Sequence, residues 1–204
     1  MMNIKRILLT LMVMALPLGL VGCGEYGKVD QGRVIAFDKQ AKTVTLIQDK
    51  LAEPMNPDYS TLPPHTYKLP ADPAEMGPEP KAGLRMKLDT KANIVKIFNP
   101  KTQAFEDITI TVIDLQQNID RQHPLVFDKA TDTAKKFPMV DRDKKTITIY
   151  SGRQKMLCTF SVPDEYFSMP DHTWEAGDEV RVYYKTEGVS LRFMNISKTD
   201  IFKK

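Results

Sequence analysis

From about residue 28 the chain runs through short stretches in which apolar and polar residues alternate with a period of two. The clearest are Thr146 to Tyr150, Met156 to Val162, Glu179 to Tyr184 and Val189 to Ile196. Successive side chains on a strand point to opposite faces, so runs of this kind predict half-buried strands. Residues that favour turns separate them: Asp141-Arg142-Asp143-Lys144, Ser151-Gly152, Gly177-Asp178 and Glu187-Gly188. A strand before Asp141 brings the number in this half to about five. Val34 and Ala36 suit another strand in the first half, and Asp107 to Val112 alternates as well. The pattern predicts an all-β protein.

The two halves repeat one another. Asp38 to Ile47 aligns without a gap on Asp141 to Tyr150, sharing Asp-x-x-x-Lys-Thr-apolar-Thr-apolar. Tyr67-Lys68-Leu69-Pro70 then matches Phe160-Ser161-Val162-Pro163. Ala82-Gly83 with Met86 and Leu88 matches Ala176-Gly177 with Val180 and Val182. Ile97-Phe98-Asn99 matches Phe193-Met194-Asn195. Four matches in one order predict two copies of a module, a first at residues 30–113 and a second at residues 136–204, joined by a linker at 114–135. Five short antiparallel strands in so small a unit hide their edges best by curling. The expectation is two tandem small antiparallel β-barrels, OB-like with an SH3-like barrel as the alternative. Residues 163–175 fall between the third and fourth strands, where an OB-like barrel carries its helix or lid. So small a unit buries a modest share of its surface, so the copies are expected to pack on each other.

The first copy differs by a stretch from Leu51 to Lys81 that holds eight of the fourteen prolines. Proline fixes φ and removes a backbone donor, which excludes a helix and predicts an excursion ordered by packing or close to polyproline. It would serve as a docking surface or a lid over a ligand groove, or would simply cover a sheet edge.

The amino terminus carries the most specific signal. Gly22 to Gly27 spells G-x-G-x-x-G, but no strand, helix and second strand surround it, so a dinucleotide site is not supported. The same residues complete another pattern. Lys5 and Arg6 precede an uncharged apolar run from Ile7 to Leu20, and Leu20-Val21-Gly22-Cys23 ends it with small residues before a cysteine. Residues 1–23 resemble a bacterial lipoprotein signal peptide. The resemblance implies cleavage between Gly22 and Cys23, acylation of Cys23, a tether at residues 23–29 and a chain held on a membrane facing the periplasm. Several acyl chains at roughly 0.8 kcal/mol per buried methylene make a stable anchor. Gly24 in place of aspartate favours the outer membrane over the inner. The alternative is an ordinary secretory signal with an incidental cysteine. The whole chain also is similar to a family of lipoproteins from sulfate-reducing bacteria, through residues 23–50 and the later Asp-Lys-x-Thr-Ile-Thr hairpin. That likeness implies an envelope protein and transfers no site.

Charge adds little. The 29 basic and 26 acidic residues approach parity once Lys5 and Arg6 leave with the leader, and no dense basic stripe exists for a phosphate backbone, so nucleic acid is not an expected partner. With Cys23 acylated, Cys158 stands alone in an apolar run and reads as a buried thiol. Motifs for zinc proteolysis, serine hydrolysis, nucleotide phosphates and c-type haem are missing. His65, His123 and His172 lie in loop-like sequence beside proline or aspartate, and the acidic run Asp164, Glu165, Asp171, Glu175, Asp178 and Glu179 has no calcium-loop spacing. No cofactor or metal and no enzymatic activity are expected. The candidate surface for a ligand or partner is built from Tyr59, His65, Tyr67, Tyr166 and Trp174, which fall in or beside the two long gaps. Phe160, Tyr183 and Phe193 read as core. The function expected is a non-catalytic interaction or scaffold protein contacting an envelope partner, the alternative being a module that binds sugar, peptide or a divalent cation.

Overall fold

The computed structural model describes residues 26–53 and 56–199. Their strands are β1 (Lys28–Asp38), β2 (Thr43–Gln48), β3 (His65–Lys68), β4 (Arg85–Asp89), β5 (Ile94–Asn99), β6 (Ala104–Thr109), β7 (Thr111–Gln117), β8 (Phe127–Asp128), β9 (Thr133–Ala134), β10 (Met139–Asp141), β11 (Thr146–Ser151), β12 (Met156–Ser161), β13 (Glu179–Tyr184) and β14 (Ser190–Asn195). Three short 3-10 turns, Pro73–Glu75, Asp164–Ser168 and Asp171–Thr173, complete the regular structure of the described residues. The protein is all-β, and its ladders are antiparallel.

One turn chemistry makes most of the hairpins. Asp38 Oδ1 accepts from the amides of Gln40 and Ala41 at 2.8 Å each, and Lys42 then takes φ 52° to turn the chain into β2. Asp89 does the same for Lys91 and Ala92, with Asn93 at φ 54°. Asn99 with Gln103, Asp128 with Asp132, Asp141 with Lys145 and Ser151 with Lys155 repeat the arrangement. A side-chain acceptor replaces the missing ladder partner of the turn amides, and the left-handed residue closes a loop built on a type I turn. Asp38 and Asp141 head the gapless alignment, which is why that part of the repeat is the easiest to see.

The strands do not sort into the units expected from chain order. A five-stranded sheet runs β14-β13-β1-β2-β3, so the first three strands of copy one pair with the last two of copy two. Lys28 to Arg33 of β1 pair with Tyr184 to Glu179 of β13, while Gly32 to Asp38 pair with β2 across a bulge between Val34 and Ala36. The exchange is reciprocal. Sheet β10-β11-β12-β7 and sheet β4-β5-β6 share one core, in which Leu88, Val95 and Ile97 of copy one meet Ile147, Cys158 and Phe160 of copy two. The boundaries placed at 113 and 136 therefore do not divide the sheets. The linker is also partly strand: β7 runs to Gln117 along β12, and β8 and β9 form a small hairpin.

The repeated Ala-Gly pair sits where the two copies cross. The Gly83 amide donates to Val34 O at 3.1 Å, the Arg85 amide to Glu175 O at 2.9 Å, and Leu84 bridges Ala176. A β-carbon on Gly177 would overlap the Val34 carbonyl, and one on Gly83 would overlap the Glu175 carbonyl. Only glycine lets the two connections pass this closely.

Residues 51–81 are not a detachable excursion. Tyr67 is buried in the core with Val34, Leu46, Val180 and Phe193, and β3 pairs with β2. Lys68 and Met76 then bridge Val189 and Phe193 in parallel. Among the described residues of this stretch the exclusion of a helix is modified by the 3-10 turn at Pro73–Glu75, where Asp72 caps the amide of Ala74.

Candidate functional site

A cavity of about 620 Å³ opens beside β4 and β11. Its position follows from a difference between the halves. In the five-stranded sheet, β1 pairs with β13 through residues 28–33. Aligned on Asp38 and Asp141, the matching residues of copy two are 131–136, and they do not pair with β4. Thr133 and Ala134 turn back on Phe127 and Asp128 instead. Pro138, which takes the place of Ile35, has no amide to offer a ladder. β4 and β10 share no ladder, and the cavity opens at this seam between Arg85, the first residue of β4, and residues 135–138, which lead into β10. Phe137, Pro138, Ile149, Tyr150 and Trp174 supply apolar wall; Lys81, Arg85, Lys135, Lys136, Asp171, His172 and Glu175 supply charge and polarity.

Arg85 is the central charge. Only 8% of it is exposed, because β4 shifts register between Arg85 and Lys87 and the alternation fails, leaving Leu84, Arg85 and Met86 all buried. Its Nε donates to Trp174 O at 2.9 Å. Among the described residues it forms no ion pair. Burial, followed by repulsion from Arg33, pushes the guanidinium pKa down to about 10. Its counterpart in the repeat, aligned on Gly83 and Gly177, is Glu179, which is fully engaged: Gln31 Nε2 and Arg153 Nη2 donate to it at 2.6 and 2.8 Å. The other charges of the cavity are partly spent on one another. Lys81 pairs with Glu175 at 2.9 Å, and Asp171 with Arg142 at 2.7 Å. Trp174 is wholly buried, and its Nε1 has no partner among the described residues.

The residues singled out from the sequence lie in separate places. Gly22 and Cys23 are outside the described residues. Tyr59 is buried, with the Arg33 guanidinium 4.3 Å from its ring centre, and burial raises its pKa. His65 and Tyr67 are together: His65 Nδ1 lies 2.6 Å from Asp30 Oδ2, and the Tyr67 hydroxyl donates to the same oxygen at 2.9 Å. Asp30 is buried and its Oδ1 has no partner among the described residues. Burial and the Asp30 bond raise the Tyr67 pKa. Tyr166 borders a second cavity of about 520 Å³ and donates to Glu106 at 2.9 Å, the bond that raises its pKa. Trp174 alone of these five borders the cleft at Arg85. Phe160 and Phe193 are core, whereas Tyr183 is half-buried and covers Gly27.

The acidic run is dispersed among cations. Asp164 pairs with Lys145, Asp171 with Arg142, Glu175 with Lys81, Asp178 with Lys198 and Glu179 with Arg153. Among the described residues no group of three or more His, Cys, Asp or Glu is placed to hold a metal. Arg85 escaped sequence reasoning because a bulge hid it within a strand-like run. The available signal was its alignment with Glu179, a charge opposite in sign at a repeated position.

Comparison with curated proteins and with solved structures gives no match. Residues 25–204 match the family described as domain of unknown function (DUF4881). That match spans all of the chain beyond residue 24, and the chain belongs to this family.

Proposed function

We propose that the chain is a lipid-anchored, non-catalytic binding protein of the cell envelope, held at the periplasmic face of a membrane, in preference the outer one, through acylated Cys23. The observation that carries the binding reading is the cleft at the unpaired seam between β4 and β10, where aromatic wall and an unpaired buried arginine adjoin. Concave sites of this size, mostly apolar with a few polar groups, are the usual form of ligand pockets. The five strands β1, β2, β3, β13 and β14 are read as an OB-like barrel, supported by the parallel bridges from Lys68 to Val189, just before β14, and from Met76 to Phe193 within it. The second set is read as its open counterpart, with β6 and β7 added. The anchor rests on the basic, apolar and small-residue segments ending at Cys23.

A second reading, contact with an envelope protein, is favoured by β7. It ends its sheet, and Ile113 and Leu115 are exposed along it, so it offers a free edge for strand addition. Palmitate labelling tests the anchor: the wild type should incorporate label and Cys23→Ala should not. Equal labelling of both refutes it. Crosslinking in cells from a photoreactive residue at position 136 tests the cleft, which should yield an adduct; a yield no higher than from position 39 counts against it.

A further inference from the structure

Resting on the reading of the seam as a binding site, we infer that its ligand is an organic oxyanion, a carboxylate or phosphate joined to a flat apolar body, with Arg85 as its anchor. The geometry gives each part a role. Arg85 spends Nε on the Trp174 carbonyl, which fixes the plane of the guanidinium. Nη1 and Nη2 donate to no partner among the described residues, and the side chain borders the cavity. Two parallel N–H groups match two oxygens of a carboxylate or phosphate, the strongest hydrogen-bonded pairing available to arginine.

Charge around it agrees. Once Lys81 is paired with Glu175, and Asp171 with Arg142, the cavity keeps Arg85, Lys135 and Lys136 as cations without a carboxylate partner among the described residues. A buried cation left unpaired is costly. In the other half that cost is absent, because Glu179 meets Arg153 and Gln31. An oxyanion supplied from outside would complete at Arg85 what Arg153 and Gln31 complete at Glu179. Phe137 and Tyr150 present part-exposed aromatic surface in the cavity wall, which the wholly buried Trp174 also borders, and aromatic surface of this kind takes a planar apolar group.

Trp174 is the single tryptophan of the chain, so its fluorescence reports on this wall without a label. The full lipidated chain in detergent is titrated with benzoate, phenyl phosphate and the neutral isostere benzamide. Saturable change with benzoate or phenyl phosphate, at least about ten-fold tighter than with benzamide, is expected from one charge-assisted pair. The tighter of the two anions identifies the headgroup. Arg85→Gln should reduce the anions to the level of benzamide, while Arg85→Lys should keep part of the preference. If Arg85→Gln fails to fold, Lys136→Gln should weaken both anions several-fold at an unchanged melting temperature. Equal binding of anions and benzamide overturns the oxyanion assignment and leaves the cleft a binding site. Fluorescence unmoved by all three overturns both.

Discussion

Cys158 lies in the middle of β12, opposite Ile149 on one side and Leu115 on the other, with no exposed surface. Burial, with Asp114 adding to it, moves its pKa from the ordinary 9.0 up to about 11. A thiol whose pKa is raised by folding contributes its full stability below pH 9, and that contribution is lost as pH climbs through the folded value, because the unfolded chain releases the proton first. Stability should fall between about pH 9 and 11 by roughly 1–2 kcal/mol from this group. Urea melts at pH 8 and pH 10.5 check it: Cys158→Ala should lose less than the wild type between the two, and an equal loss removes the thiol as the cause. This buried thiol was legible from its apolar neighbours. The left-handed residues were not, since Lys42, Asn93, Gln103, Lys145 and Lys155 do the work usually signalled by glycine, and lysine or glutamine carries no such mark in a sequence. Arg85 was hidden for another local reason. A bulge sets aside the alternation by which an inward position is recognised.

At the scale of elements, the period-two runs located β11, β12, β13 and β14 to within a residue or two, because one face of each is buried and the turns between them are chemically marked. The stretch from 51 to 81 was harder to read. Its prolines correctly exclude a helix, yet they mask β3, only four residues long, whose single inward aromatic is Tyr67. The segment is held at several points: Asp58 donates its amide to Asp49 at 2.8 Å, Tyr59 is buried, and Glu75 pairs with Arg192. Deleting residues 51–81 should therefore unfold the five-stranded sheet rather than strip away a loop. Even Tyr67→Ala should cost about 3–5 kcal/mol, the range for emptying a buried aromatic site, and circular dichroism melts read both. A deletion variant that keeps the wild-type transition would show that the segment is only a covering.

For the whole molecule, the repeat was visible in the sequence while the exchange between its copies was not. Alternation tells which face of a strand is buried; it carries no information on which strand lies alongside. Both Ala-Gly pairs are equally compatible with a chain that turns back into its own module and with one that crosses over. The crossing is set by long-range pairing, Lys28 with Tyr184 through Arg33 with Glu179, and by the close passage of Gly83 and Gly177. Its consequence is cooperativity. Residues 23–135 alone would hold β1, β2 and β3 without β13 and β14, and β4 to β7 without β11 and β12, so each core would lose half of its wall. Such a fragment should give a collapsed amide proton spectrum and no cooperative melt, and so should residues 136–204. Mixed together, the two fragments should recover dispersed signals, because the pairing surfaces are complementary and no covalent link between positions 135 and 136 is needed to form them. The intact chain should unfold in one transition by fluorescence of Trp174 and by far-ultraviolet circular dichroism alike. A folded 23–135 fragment, or two separated transitions in the intact chain, would mean that the copies stand as independent modules and that the shared ladders contribute little to holding them.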